Sequence, residues 1–174
     1  MTTRDRDPWG HPRSARPRDG LGRPLPKGTA GEPRIPDNLA LPPDESLKLA
    51  DELLAAGRPF HAHEVLEASW KAAPPAERDF WQGLAQLAVG VTHARRGNAR
   101  GAMALLRRGT AHIRPYARSN PYGVQVELIA ATAESLIERM RCGDLSGAAS
   151  APVRLREPPD SPATATTYGH DRLQ

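Results

Sequence analysis

The stretch HAHEVLEASW, residues 61 to 70, brings two histidines and two glutamates close together in the chain. Imidazole and carboxylate are the groups that ligate zinc, iron or manganese and that move protons near neutral pH, so their spacing decides which chemistry is open to them. At about 100° per helical residue, His63, Leu66, Glu67 and Trp70 share one face, half apolar and half ionisable. Glu64 falls roughly 100° away from His63, and His61 falls on the far side. The cluster thus divides into an inward pair, His63 with Glu67, and two flankers. Further along, Gln82, Gln86 and His93 form a second polar stripe at helical spacing.

If the two stripes face each other across a helical hairpin, His63, Glu67 and His93 are candidate ligands for a divalent metal (Zn, Mn or Fe). Glu64 is then the candidate catalytic general base. The zincin pattern His-Glu-x-x-His is not met, because Glu67 occupies the place of its second histidine. The plainer alternative is a polar cluster of His63, Glu64, Glu67, Gln82, Gln86 and His93. In it the glutamines satisfy the His63–Glu67 pair and hold the helices in register. A polar pocket that functions without metal lies between these two. Trp70 and Trp81, with Phe60 and Phe80, read as core or seam residues rather than a ligand box.

The elements that must position these groups are all helical. PPDESLKLADELLAAG predicts a first helix, with Asp44 as N-cap and Gly57 as its stop. A second runs from about Pro59 to Lys71 or Ala72 and is ended by Pro74-Pro75. The longest spans Ala76 to Arg95, with Phe80, Leu84, Leu87, Val91 and Ala94 on one stripe. Asn98 caps a fourth that reaches about His112, and a fifth runs from about Pro121 to Arg141 and stops at Gly143. With no strand-like alternation, the expected fold is all-α, a single compact antiparallel bundle of about five helices.

Residues 1–43 hold half of the 18 prolines and no periodic apolar face, and they read as a disordered Pro/Gly/Arg-rich tail. Residues 44–146 are the bundle, and residues 147–174 a second disordered tail. The single cysteine, Cys142, excludes an intramolecular disulfide framework and makes the cytoplasm the default compartment. Neither a signal peptide nor a membrane span is readable.

FHAHEVLEASW followed by FWQGLAQLAVGVTHARRGNARGAMALLRRG resembles the family known as domain of unknown function 309, over roughly residues 48 to 110. His63-Glu64, Leu66-Glu67, Trp70, Gln82-Gly83, Gln86, His93, Gly97-Asn98 and Gly101-Ala102 carry the resemblance. It implies a small all-helical fold and a polar signature of His63, Glu64, Glu67, Gln82 and His93. It implies no activity. The turn in ARRGNARGAMALLRRG looks like that of a tetratricopeptide-type hairpin, although no 34-residue period repeats to support a solenoid.

Charge is distributed unevenly. No acid stands between Asp79 and Glu127, while seven arginines there include Arg95, Arg96 and Arg100, the candidate anion-binding stripe. No aromatic is interleaved before Tyr116, so binding of RNA through this stripe is the weaker reading of it. Taken together the sequence favours a binding or interaction module, with a protein partner or a second copy as its ligand and no membrane. A metal-dependent, hydrolase-like enzyme using His63, Glu67 and His93 is one alternative, and a weak RNA or anion binder is another.

Overall fold

Glycine and proline punctuate the helices where the sequence sets them. In the computed structural model, which describes residues 16–36 and 38–156, six α-helices follow one another. They are α1 (Pro43–Ala55), α2 (Pro59–Ala72), α3 (Arg78–Arg95), α4 (Ala99–Ile113), α5 (Val126–Arg141) and α6 (Leu145–Ser150). Short 3-10 turns at Pro75–Glu77, Arg114–Tyr116 and Pro121–Gly123 join α2 to α3 and α4 to α5. There is no strand among the described residues, only an isolated bridge between Arg18 and Pro24.

α1 starts one residue before the expected cap, with Pro43 at the first helical position and Asp44 and Glu45 in the first turn. A proline loses no hydrogen bond there, and acids favour the positive end of the helix dipole. α3 closes at Gly97, whose φ of +82° is the left-handed conformation that glycine adopts without steric penalty. Its N–H donates to the Ala94 carbonyl at 3.0 Å and that of Asn98 to the His93 carbonyl at 2.9 Å. This is the paired closure that satisfies the last carbonyls of a helix. Asn98 then caps α4, its side-chain oxygen accepting from the Gly101 N–H at 2.9 Å. The same closure ends α1 at Gly57 and α5 at Gly143. The described residues therefore form three successive helical hairpins, α1/α2, α3/α4 and α5/α6, with equivalent turns.

α3 is the central element, packed most extensively on α4 and next on α2. Its approach to α4 is close because glycines face backbone there. A Cβ on Gly83 would meet the Gly109 carbonyl at 2.8 Å, and one on Gly109 would meet the Gly83 carbonyl at the same distance. Around this line lie Leu47, Leu66, Phe80, Leu84, Leu106 and Ile113, all essentially without solvent contact. Phe80 and Trp81 are buried aromatics, and their rings make tilted contacts with Tyr116 and Tyr122. Trp70, expected on the buried face, is only half-buried at the edge of this core.

Two segments outside the five expected helices pack on the bundle. α6 lies against α3 and α5, and beyond it Leu155 is buried to 2 % exposure. Its N–H donates to Asp51 Oδ1 at 2.7 Å, and its carbonyl accepts from the Gln125 N–H at 3.0 Å. Before α1, Ile35 and Leu39 rest on the core, and residues 16–34 fold back over the start of α2. The remaining parts of the two expected tails, residues 1–15 and 157–174, lie outside the described residues. No helix of the described residues is long and apolar enough to cross a membrane.

Candidate functional site

α2 carries the histidines and glutamates. Ala62, Val65 and Leu66 face the core completely, which leaves His63 and Glu67 at the flank, about a quarter and a third exposed. The i, i+4 spacing sets His63 Nε2 at 3.6 Å from Glu67 Oε2, an ion-pair separation too long for a hydrogen bond. The other Glu67 oxygen pairs with Lys71 Nζ at 3.0 Å. A ladder of His63, Glu67 and Lys71 thus runs along one helix, with an ammonium on the carboxylate where the metal reading would set a second ligand. Burial pushes the His63 pKa down; Glu67 opposes that, and Lys71 adds to it. The lowered value favours the uncharged ring, and the contact with Glu67 is an ion pair only when the imidazole is protonated.

Neither glutamine joins this pair. Gln82 and Gln86 are half-buried on α3, and Gln86 Oε1 and His63 Nδ1 are both buried without a hydrogen-bond partner. Glu64 is half-buried on the adjoining flank. His93 is engaged at the α3/α4 turn instead, its Nδ1 lying 2.8 Å from Asn98 Nδ2. The Asn98 amide nitrogen is a donor, so Nδ1 accepts and the ring proton sits on Nε2. Burial, reinforced by Arg96, lowers the His93 pKa and keeps it in this accepting form. Among the described residues no three His, Cys, Asp or Glu side chains form a group that could hold a metal ion.

The arginine stripe divides in the same way. Arg95 Nε donates to the Ala149 carbonyl of α6 at 3.1 Å, and Arg96 Nε donates to the Leu21 carbonyl at 2.9 Å. Two of the three candidate anion ligands are thus bound to backbone carbonyls, while Arg100 is exposed on α4.

Arg96 leads to the feature that residue types did not disclose. Residues 16–36 form an arm closed on itself by Asp19, whose Oδ1 accepts the N–H groups of Leu21 at 3.0 Å and Arg23 at 2.7 Å. The arm lies on the start of α2. Phe60 is flanked by the guanidinium groups of Arg18 and Arg96, at 5.4 and 5.8 Å from its ring centre. Gly22, at φ +75°, sits so close to the ring that a Cβ would fall 2.3 Å from Phe60 Cγ. Arg58 holds the far end, donating to the Pro33 carbonyl at 3.2 Å and pairing with Glu32 at 3.1 Å.

His61, the flanker assigned by the helix wheel to the far side, is buried to 2 % exposure, and its Nδ1 has no partner. Its pKa is lowered, first by burial and then by Arg58, against the opposing influence of Glu32, the Gly20 backbone and Asp19. All three opposing groups belong to the arm. α2 therefore has two covered sides, one against the core and one against the arm, whereas the wheel allows for one.

Comparison with known proteins adds a family and no activity. Residues 47–105 match the family model described as Domain of unknown function (DUF309). A stretch of 48 residues is 48% identical to "Uncharacterized protein YpuF" of Bacillus subtilis (strain 168), covering 27% of this chain and 28% of that protein. The match thus spans little more than a quarter of the relative's length. No solved structure matches. Over residues 47–105, from α1 into α4, the chain is accordingly similar to the family Domain of unknown function (DUF309), the one that the order of His63, Glu67, Gln82 and His93 resembles.

Proposed function

We propose that this chain is an interaction module in which the helical hairpins present a face for a folded-back, arginine- and proline-containing segment. The face comprises Arg58, Phe60, His61 and Arg96. The observation that carries this reading is the docked arm, held by backbone carbonyls, an ion pair and guanidinium–ring contacts rather than by a continuous apolar seam. Such contacts select for a folded-back segment that turns carbonyls toward Arg58 and Arg96, an acid toward Arg58 and a cation onto the Phe60 ring, and stacked helical hairpins are a common scaffold for peptide recognition. In this chain the arm occupies its own face, so an external segment of similar chemistry competes with it by mass action.

Hydrogen exchange on the full chain tests the reading. The Leu25 and Glu32 amides, which donate within the folded arm to Pro17 and Arg18 carbonyls, should be protected. Phe60→Ala and Arg96→Gln should each remove that protection while leaving the amides of α3 and α4 slow. Unprotected arm amides in the unmutated chain would count against the proposal.

A further inference from the structure

A separate cavity lies at the other end of α2, away from the arm. It has a volume of about 220 Å³ and is walled by Leu41 and Pro43 before and at the start of α1, by Ser69 and Ala73 around the end of α2, and by Glu77, Trp81 and Tyr122. Pockets that enclose a whole drug-sized ligand measure roughly 300–1,000 Å³, so this one suits a head group.

Its chemistry centres on Glu77. The 3-10 turn Pro75–Glu77 sets that residue one helical turn before Trp81, whose indole Nε1 donates to Glu77 Oε2 at 3.2 Å. The Tyr122 hydroxyl donates to the same oxygen at 2.8 Å. Two neutral donors converge on one carboxylate oxygen, and Oε1 has no hydrogen-bond or ion-pair partner among the described residues. The neighbouring cation, Arg78, turns its Nε to the Ala73 carbonyl at 3.3 Å. Asp44, whose charge also reaches Tyr122, is paired with Arg156 at 3.1 Å. Tyr122 reaches Glu77 from a backbone at φ +56°, beside Asn120 at φ +39°, both in the left-handed region that bulky residues seldom adopt. Strain of this kind persists where the surroundings hold it, and it clusters at ligand sites. Burial, and then the Glu77 carboxylate, raise the Tyr122 pKa, which keeps the phenol a donor.

We propose that this cavity binds a small organic cation, an alkylammonium or alkylguanidinium group, with Glu77 Oε1 as its counter-ion and the Trp81 and Tyr122 rings as its walls. A carboxylate with one free oxygen, in a cavity whose lining includes the Trp81 and Tyr122 rings in contact at 5.9 Å, offers both a charge and aromatic surface to such a cation. The site is independent of the arm-binding face and does not rest on it.

The test follows the Trp81 indole N–H resonance by heteronuclear NMR on the full chain, with butylguanidinium and butylammonium as probes and 1-butanol as the neutral control. A Trp81→Phe spectrum assigns the signal. Saturable shifts with both cations and none with butanol are expected, and Glu77→Gln should weaken binding at least tenfold. Its amide oxygen can still accept from Trp81 and Tyr122, so circular dichroism should show an unchanged fold. A tripeptide amide with a central arginine identifies the source: tighter binding than butylguanidinium points to a basic side chain of a peptide, weaker binding to a free amine. Equal shifts with butanol, no shift with either cation, or undiminished binding by Glu77→Gln would overturn the proposal.

Discussion

Leu155→Ala measures how far the fold depends on the segment after α5. The Leu155 side chain is 2 % exposed, and its backbone joins Asp51 on α1 to Gln125 before α5. Burying a leucine contributes about 1.5–3 kcal/mol by transfer alone, and the cavity left by truncation adds to that where neighbours cannot collapse. The site lies at the edge of the bundle, beside half-buried Val153 and Arg156, so partial collapse is available. The expected loss is therefore about 2–3 kcal/mol, the low end for a leucine truncation. The backbone hydrogen bonds survive, and the substitution leaves the ordering entropy of residues 151–156 nearly unchanged. That makes it a cleaner probe than deleting the segment, which would also release that entropy. Urea unfolding followed by far-ultraviolet circular dichroism gives the value, and the thermal midpoint should fall by about 10 °C. A loss below about 0.5 kcal/mol would show that the segment does not dock on α1 in solution, and the reasoning would fail.

Gly109→Ala should destabilise by about 2 kcal/mol or more, because the added Cβ would meet the Gly83 carbonyl at 2.8 Å and Leu87 Cγ at 2.7 Å; urea unfolding of the variant reads this directly. His61, His63 and His93 all have lowered pKa values, so the unfolded chain takes up protons first as pH falls. Stability present above the ordinary histidine pKa of about 6.5 is then lost as pH falls through the folded values, and the urea midpoint should drop as the pH is lowered below about 6.5 rather than stay level. Glu67→Gln should lower the His63 pKa further, since Glu67 is the influence that raises it, and an NMR titration of the imidazole protons would show the shift. Asn98→Ala should cost about 1 kcal/mol through loss of the α4 cap, and it should free His93 Nδ1, which an unchanged His93 titration would contradict.

The helices were legible because their ends are chemical. Gly57, Gly97 and Gly143 close α1, α3 and α5, Pro74-Pro75 divides α2 from α3, and Asn98 caps α4. α6 escaped because LSGAAS has one large apolar residue in six, and it is stabilised by the Asp144 cap and by contact with α3 and α5 rather than by a stripe of its own. Within the candidate site, the i, i+4 spacing of His63 and Glu67 does put them beside each other. The hydrogen bond that ties His93 to Asn98 at the α3/α4 turn was not available from helical spacing, because it joins one helix end to the next cap. His61 was assigned to the open side because a helix wheel records one periodic face. What covers it is an arm recognised mainly through the carbonyls of Leu21 and Pro33, and carbonyl groups leave no trace in residue types.

The central claim is that the face formed by Arg58, Phe60, His61 and Arg96 receives a folded-back segment. Calorimetric titration of the chain from residue 38 onward with a synthetic peptide of residues 16–36 tests it most directly. The account predicts saturable one-to-one binding, weakened at least tenfold by Phe60→Ala in a core whose circular dichroism is unchanged. A core that keeps its helical spectrum and takes up no peptide would contradict it.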